Sequence, residues 1–187
     1  MIPLQKLISM KKLVLVLLVF IVPGCKSTSI NKVLDTLDET YTTEISNCIT
    51  NATCSIEIIP NSSLLIKQDE FQNSYVEIKK GSNTLVKYQL KKNEISNTAD
   101  SNYSEILYIE IDNYNKSLVL KNEELQQVKM IYGRLCYCKG ASGYFKVKKG
   151  NLELILKKNQ LTLNTNFTVE NIPQIITQVR EKITLQN

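Results

Sequence analysis

Cys136-Tyr137-Cys138 is the densest cluster of reactive groups in the chain. Two further thiols lie at Cys48 and Cys54, and a fifth at Cys25. Three chemistries use thiols arranged this way. Oxidised in pairs, they form structural disulfides. Left poised, Cys136 and Cys138 would exchange disulfides with a partner, with Lys139 beside them to lower a thiol pKa. As four thiolates they would hold zinc, but C-x-C and C-x5-C are not the usual C-x2-C ligand spacings. Histidine is absent. That removes Ser-His-Asp and Cys-His catalysis, His zinc ligands and the usual general base near neutral pH. The expectation is therefore a non-enzymatic protein with no metal and no cofactor.

The choice among the thiol chemistries depends on compartment, and the start of the chain bears on it. An unbroken apolar run fills 13–22, short of the roughly 20 residues a helix needs to cross a bilayer. Lys11 and Lys12 precede it, and Pro23 and Gly24 end it. A basic region, a short apolar run and small residues make a secretory signal. The four residues Val22-Pro23-Gly24-Cys25 resemble the lipobox of bacterial lipoproteins: an aliphatic residue, a small one, Gly or Ala, then Cys. Pro23 stands where Ala, Ser or Thr is usual. The resemblance implies cleavage before Cys25, diacylation of its sulfur and acylation of the new amino group. Two or more acyl chains hold a protein stably on a bilayer. Lys26 replaces the Asp that often signals inner-membrane retention in such lipoproteins, which by resemblance favours the outer membrane. The expected organisation is a signal peptide at 1–24, with Met1 or Met10 as start, a lipid-anchored tether at 25–28, and one globular domain at 29–187.

An exported setting favours disulfides among Cys48, Cys54, Cys136 and Cys138. Cys136 and Cys138 fall in a strand-like run, so both sulfurs point to one face. Their Cα atoms would then lie about 6.6 Å apart, which disfavours a direct bridge. The expected pairing instead joins the 48–54 segment to the 136–138 strand. Each bridge would close a loop of about 80–90 residues and stabilise by a few kcal/mol.

The elements that must position these groups are mostly strands. Ile30, Val33, Leu34, Leu37 and Tyr41 recur at spacings of three and four, which predicts an amphipathic helix over 29–46. From 52 onward the period becomes two. Cys54, Ile56 and Ile58 alternate with polar residues, as do Val86, Tyr88 and Leu90, then Leu107, Ile109 and Ile111, and later Leu152, Leu154, Leu161 and Leu163. A long strand at 128–138 is expected to bulge at Gly133. Lysine-glycine pairs at 79–81 and 148–150 read as turns, and the polar stretch 93–102 as the longest loop. The tail at 173–185 fits either period, and its alternation favours a strand. These about 8–10 short strands predict a mainly β domain at 52–187, an antiparallel β-barrel or β-sandwich.

Other candidate sites are weaker. Tyr132, Arg134, Tyr137 and Tyr144 could form an aromatic-basic ligand patch, although Tyr is also ordinary sheet packing. Asp100, Asn102 and Ser104 have the spacing of a calcium-loop start, but Glu105 occupies the position that needs Gly. The segment 139–144 reads as a hairpin loop; it loosely resembles the inhibitory loop of periplasmic lysozyme-inhibitor lipoproteins. The formal charge of +5 falls to 20 basic against 18 acidic residues once Lys6, Lys11 and Lys12 leave with the signal. Nothing there argues for nucleic acid. The expected role is binding or structural, with a membrane held through the lipid and an envelope protein or small apolar ligand as partner. The alternatives are a periplasmic thiol-disulfide redox protein using Cys136 and Cys138, or a lipocalin-like carrier of an apolar ligand.

Overall fold

The computed structural model describes residues 39–98, 100–112, 117–157 and 160–185. In chain order the strands are β1 Tyr41–Ile45, β2 Ala52–Gln68, β3 Ser74–Lys80, β4 Asn83–Lys92, β5 Tyr103–Ile111 and β6 Ser117–Lys121. A 3-10 helix at Asn122–Val128 follows, then β7 Ile131–Cys136, β8 Gly143–Lys146, β9 Lys149–Lys157, β10 Gln160–Thr168 and β11 Gln178–Thr184. All pairings are antiparallel. One sheet runs β1-β2-β4-β5-β7-β8 with β3 on β2; the other runs β11-β10-β9-β6. The protein is mainly β, and its sheets are not closed into a barrel.

The helix expected over 29–46 lies outside the described residues up to 38. Its last part is a strand: Tyr41, Thr43 and Ile45 alternate in burial and pair with Ile58, Ile56 and Cys54. The apolar spacing of Tyr41 and Ile45 fits both periods, and the β-branched Thr42, Thr43 and Ile45 suit a pleated surface better. The tail is a strand at Gln178–Thr184, against β10. The loop at 93–102 lies between β4 and β5 as the polar stretch predicts.

The strand marked by Cys54, Ile56 and Ile58 continues well beyond them. β2 is 17 residues long and passes through Pro60. Proline lacks a ladder N–H, and the register against β4 shifts between Ile59 and Ser62, with Asn61 at φ 51°. Beyond the shift β2 pairs with β3 from Ser62↔Lys80 to Gln68↔Ser74. Gly81 sits opposite this break. A Cβ there would lie 2.7 Å from Ser63 Cβ, so only glycine fits so close an approach.

The two sheets share a single core. Ile56, Ile58, Val86, Leu107 and Ile109 of the larger sheet join Leu152, Leu154, Leu161, Leu163 and Val179 of the smaller one. A second, smaller cluster lies on the opposite face of the larger sheet, built from Leu64, Leu85, Ile106, Tyr108 and Ile131. Strand β5 is therefore buried on both faces. Alternation predicted Tyr108 and Glu110 on an open face; instead both are buried, at 5 % and 6 % exposure. Strands β3 and β8 come into contact over this side.

Gly133 does not bulge. β7 pairs β5 in unbroken register from Ile131↔Tyr108 to Cys136↔Tyr103. The glycine is there because a Cβ would lie 2.6 Å from a Tyr144 ring carbon. Lys149 and Gly150 likewise belong to β9, not to a turn. Gly150 has φ 138°, and a Cβ there would lie 2.1 Å from Asn166 O.

Candidate functional site

The cysteines pair locally. Cys48 bonds Cys54 and Cys136 bonds Cys138, with Cα separations of 5.4 and 5.2 Å. This corrects the long-range pairing expected from the sequence. That expectation assumed an extended chain through Cys138. β7 ends at Cys136 and the chain bends at Tyr137. The bend brings the Cα atoms into ordinary disulfide range. Cys54 is buried at the edge of the core, whereas Cys136 and Cys138 are half-buried, at the end of β7 and in the loop that follows it. Between them Tyr137 is 86 % exposed.

The four residues of the expected ligand patch do not come together. Tyr132 is fully buried, its ring 5.8 Å from that of Phe167. Burial, with the Glu105 charge beside it, pushes its hydroxyl far above the ordinary tyrosine range. Tyr144 lies over Gly133 on the opposite face of the sheet, near Tyr108. Burial raises its pKa too. Arg134 is turned inward. Its Nη1 donates to Ala141 O at 3.0 Å and its Nε to Tyr103 Oη at 3.3 Å. Only Tyr137 of the four presents an open ring.

Beside Tyr137 runs an open groove of about 530 Å³, within the size range of small-ligand sites. It lies on the face of the larger sheet away from the shared core. Register sets its floor: Lys91 pairs with Ser104, and Ser104 with Leu135, so the three form a row across β4, β5 and β7. Gln89 extends the floor along β4, and Asp100 and Asn102 reach it from the 93–102 loop. Cys136 and Tyr137 close one end. The side chains of Gln89, Asp100, Asn102 and Ser104 make no hydrogen bond to another described residue.

The groove's frame is held by a buried carboxylate that sequence reasoning missed. Glu105 is fully buried. It accepts bonds from the backbone N–H of Ile175 at 2.8 and 3.0 Å, of Ile176 at 2.6 Å, and from the Tyr103 hydroxyl. Tyr103 is thus fixed at the groove edge, with Lys92 4.6 Å and Arg134 5.3 Å from its ring centre. Burial and the Glu105 contact raise the Tyr103 pKa. The same-face spacing of Tyr103, Glu105 and Leu107 placed a carboxylate on the apolar side of a strand, and that was the available signal.

A larger cleft of about 850 Å³ opens at the other end of the domain, lined by Tyr144, Phe145 and three lysines. Much of its charged rim is paired internally: Lys149 with Glu170, and Lys148 with Glu123 at 3.7 Å. Cys25 lies outside the described residues. In comparison with known proteins, no family model, curated protein or solved structure matches the chain.

Proposed function

We propose that the chain is a bacterial envelope lipoprotein, anchored through lipid at Cys25 and held at the outer membrane. Its domain, a two-sheet sandwich, binds a ligand at the groove beside Tyr137 without catalysing a reaction. The observation that carries this reading is the state of the cysteines: Cys48, Cys54, Cys136 and Cys138 are all consumed in disulfides. Such bonds persist in oxidising compartments, in agreement with a signal and lipobox ending at Cys25. The groove beside Tyr137, lined in part by polar side chains that bond no other described residue, supplies the place for the ligand.

The test is the intact mass of the protein from the membrane fraction, alkylated without reduction. The expected mass begins at Cys25, carries lipid and has no alkyl groups, and Cys25→Ser loses the lipid. An unlipidated chain retaining residues 1–24, or alkylation of the four thiols, overturns it.

A second reading, thiol-disulfide exchange at Cys136 and Cys138, draws on the half-buried position of that pair beside an open groove. Exchange activity that is lost in Cys136→Ser while the fold persists would favour it. The carrier reading needs a closed barrel around an apolar cavity, and these sheets are not closed.

A further inference from the structure

The groove's chemistry narrows the class of its ligand. We propose that it is a saccharide site, taking a neutral oligosaccharide whose ring face stacks on Tyr137. This deepens the binding role and does not depend on the lipid anchor.

Tyr137 is the first argument. A tyrosine that is 86 % exposed displays an amphipathic ring, an apolar face with a polar tip. The ring makes no stacking or cation-π contact within the described residues. The disulfide joins its two sequence neighbours, so the backbone that carries the ring is already ordered. A pre-ordered platform loses less entropy on binding than a flexible loop would. Further ties hold the same loop: Arg134 donates to Ala141 O, and the Cys136 N–H lies 3.4 Å from Ser142 Oγ.

The polar lining is the second argument. Gln89 and Asn102 each offer both donors and an acceptor, Ser104 offers both, Asp100 accepts and Lys91 donates. Sugar hydroxyls donate and accept at once, and a mixed set satisfies them. A site for an acid or a phosphate would present a surplus of donors and of positive charge. Here Lys91 and Asp100 balance, and Lys91 leans toward Glu94 at 3.6 Å. A site for an apolar ligand would be a closed cavity; this groove is open, and its lining mixes Leu135 and the Tyr103 and Tyr137 rings with the polar side chains.

The experiment is calorimetric titration of the protein, extracted from membranes in a zwitterionic detergent that carries no sugar headgroup. Titrants are oligosaccharides with neutral or N-acetylated units, chitotetraose and maltotetraose among them, alongside a neutral extended peptide. Saturable binding of at least one oligosaccharide is expected. Tyr137→Ala should weaken it about tenfold, as loss of a central aromatic contact does, while Tyr137→Phe retains most of it. Gln89→Ala should weaken it as well. Replacing both Cys136 and Cys138 by Ser should weaken it with the fold intact by circular dichroism.

If the peptide binds and the sugars do not, with the same dependence on Tyr137, the saccharide assignment is overturned and the binding role stands. If sugars bind equally to the wild type, Tyr137→Ala and Gln89→Ala, the groove is not the site. If neither class binds at about 10 mM, far weaker than a typical specific site, both the saccharide assignment and the groove's binding role fall.

Discussion

Glu105 and Glu110 lie five residues apart on β5 and face opposite sides of the same sheet. Both are buried, at 0 % and 6 % exposure. Glu105 serves the shared core side, where it gathers the Ile175 and Ile176 N–H groups of the smaller sheet's last connection. Glu110 serves the other side. It accepts from Leu64 N at 2.6 Å, Asn83 Nδ2 at 2.7 Å and Lys129 Nζ at 2.9 Å. One strand thus anchors two separate parts of the fold, the β10–β11 connection and the second half of β2, each through a carboxylate placed by alternation.

Removing Glu105 leaves one buried and one part-buried N–H group, of Ile176 and Ile175, without an acceptor. Glu105→Ala is expected to lower unfolding free energy by about 3 kcal/mol, from unsatisfied donors plus the lost volume. Denaturant unfolding reads this directly. A loss below about 1 kcal/mol, the size of an ordinary surface change, would show that water replaces the carboxylate freely.

Acid should weaken the fold through Glu110. Burial alone would raise its pKa, but the bonds from Lys129, Leu64 and Asn83 outweigh that and lower it below 4.5. A depressed carboxylate pKa contributes stability above the unfolded value, and that stability is lost as pH falls through the folded one. Stability should therefore decline below about pH 4.5. Glu110→Gln should be less stable near neutral pH, by about 2–3 kcal/mol given that Lys129 is partly solvated, and flatter in acid. Glu181 works in the opposite sense. Burial raises its pKa, so Glu181→Gln should slightly stabilise the protein at neutral pH and make no difference once the group is protonated.

The two disulfides should differ in worth. On the chain-entropy model a bridge over a separation of six contributes about 2 kcal/mol, and one over two residues closer to 1.5. Cys54 is also 2 % exposed and packs in the core. Replacing Cys48 and Cys54 by Ser should therefore cost more than replacing Cys136 and Cys138. Non-reducing peptide mapping checks the pairing itself: a peptide linking the 48–54 region to 136–138 would refute it.

Gly133→Ala should be costly for a residue in a strand, because its Cβ would meet the Tyr144 ring. The expected loss is about 1–3 kcal/mol, the usual range for overpacking. Gly133→Ala with Tyr144→Ala should recover part of it. If the double variant is no better than the sum of the singles, the clash is not with that ring.

Much of the architecture was legible from alternation. β4, β5, β9, β10 and β11 follow the period-two pattern of their aliphatic residues, and the polar 93–102 stretch is a loop. Three things were not legible. Tyr41 and Ile45 fit a helix and a strand equally, and only their partner at 54–58 decides. β2 runs on past Cys54, Ile56 and Ile58 through Pro60, which has no ladder N–H, and only the register shift against β4 makes that one strand possible. Cys138 reads as strand until the bend at Tyr137 is known, and that bend determines both disulfides. The groove was hidden for a related reason. Gln89, Ser104 and Leu135 lie far apart in sequence and meet only through cross-strand register. Tyr137 could be named in advance, but its companions in the expected patch could not be sorted into faces while Gly133 was read as a bulge.

The bridges join neighbours at separations of six and two, and this bears on how the chain would mature after export. Were the chain exported as proposed, with the Cys25 sulfur acylated, each remaining thiol would meet its correct partner first. Cys48 and Cys54 would be joined before Cys136 appears. Correct oxidation then requires only an electron acceptor, with no later reshuffling by an isomerase.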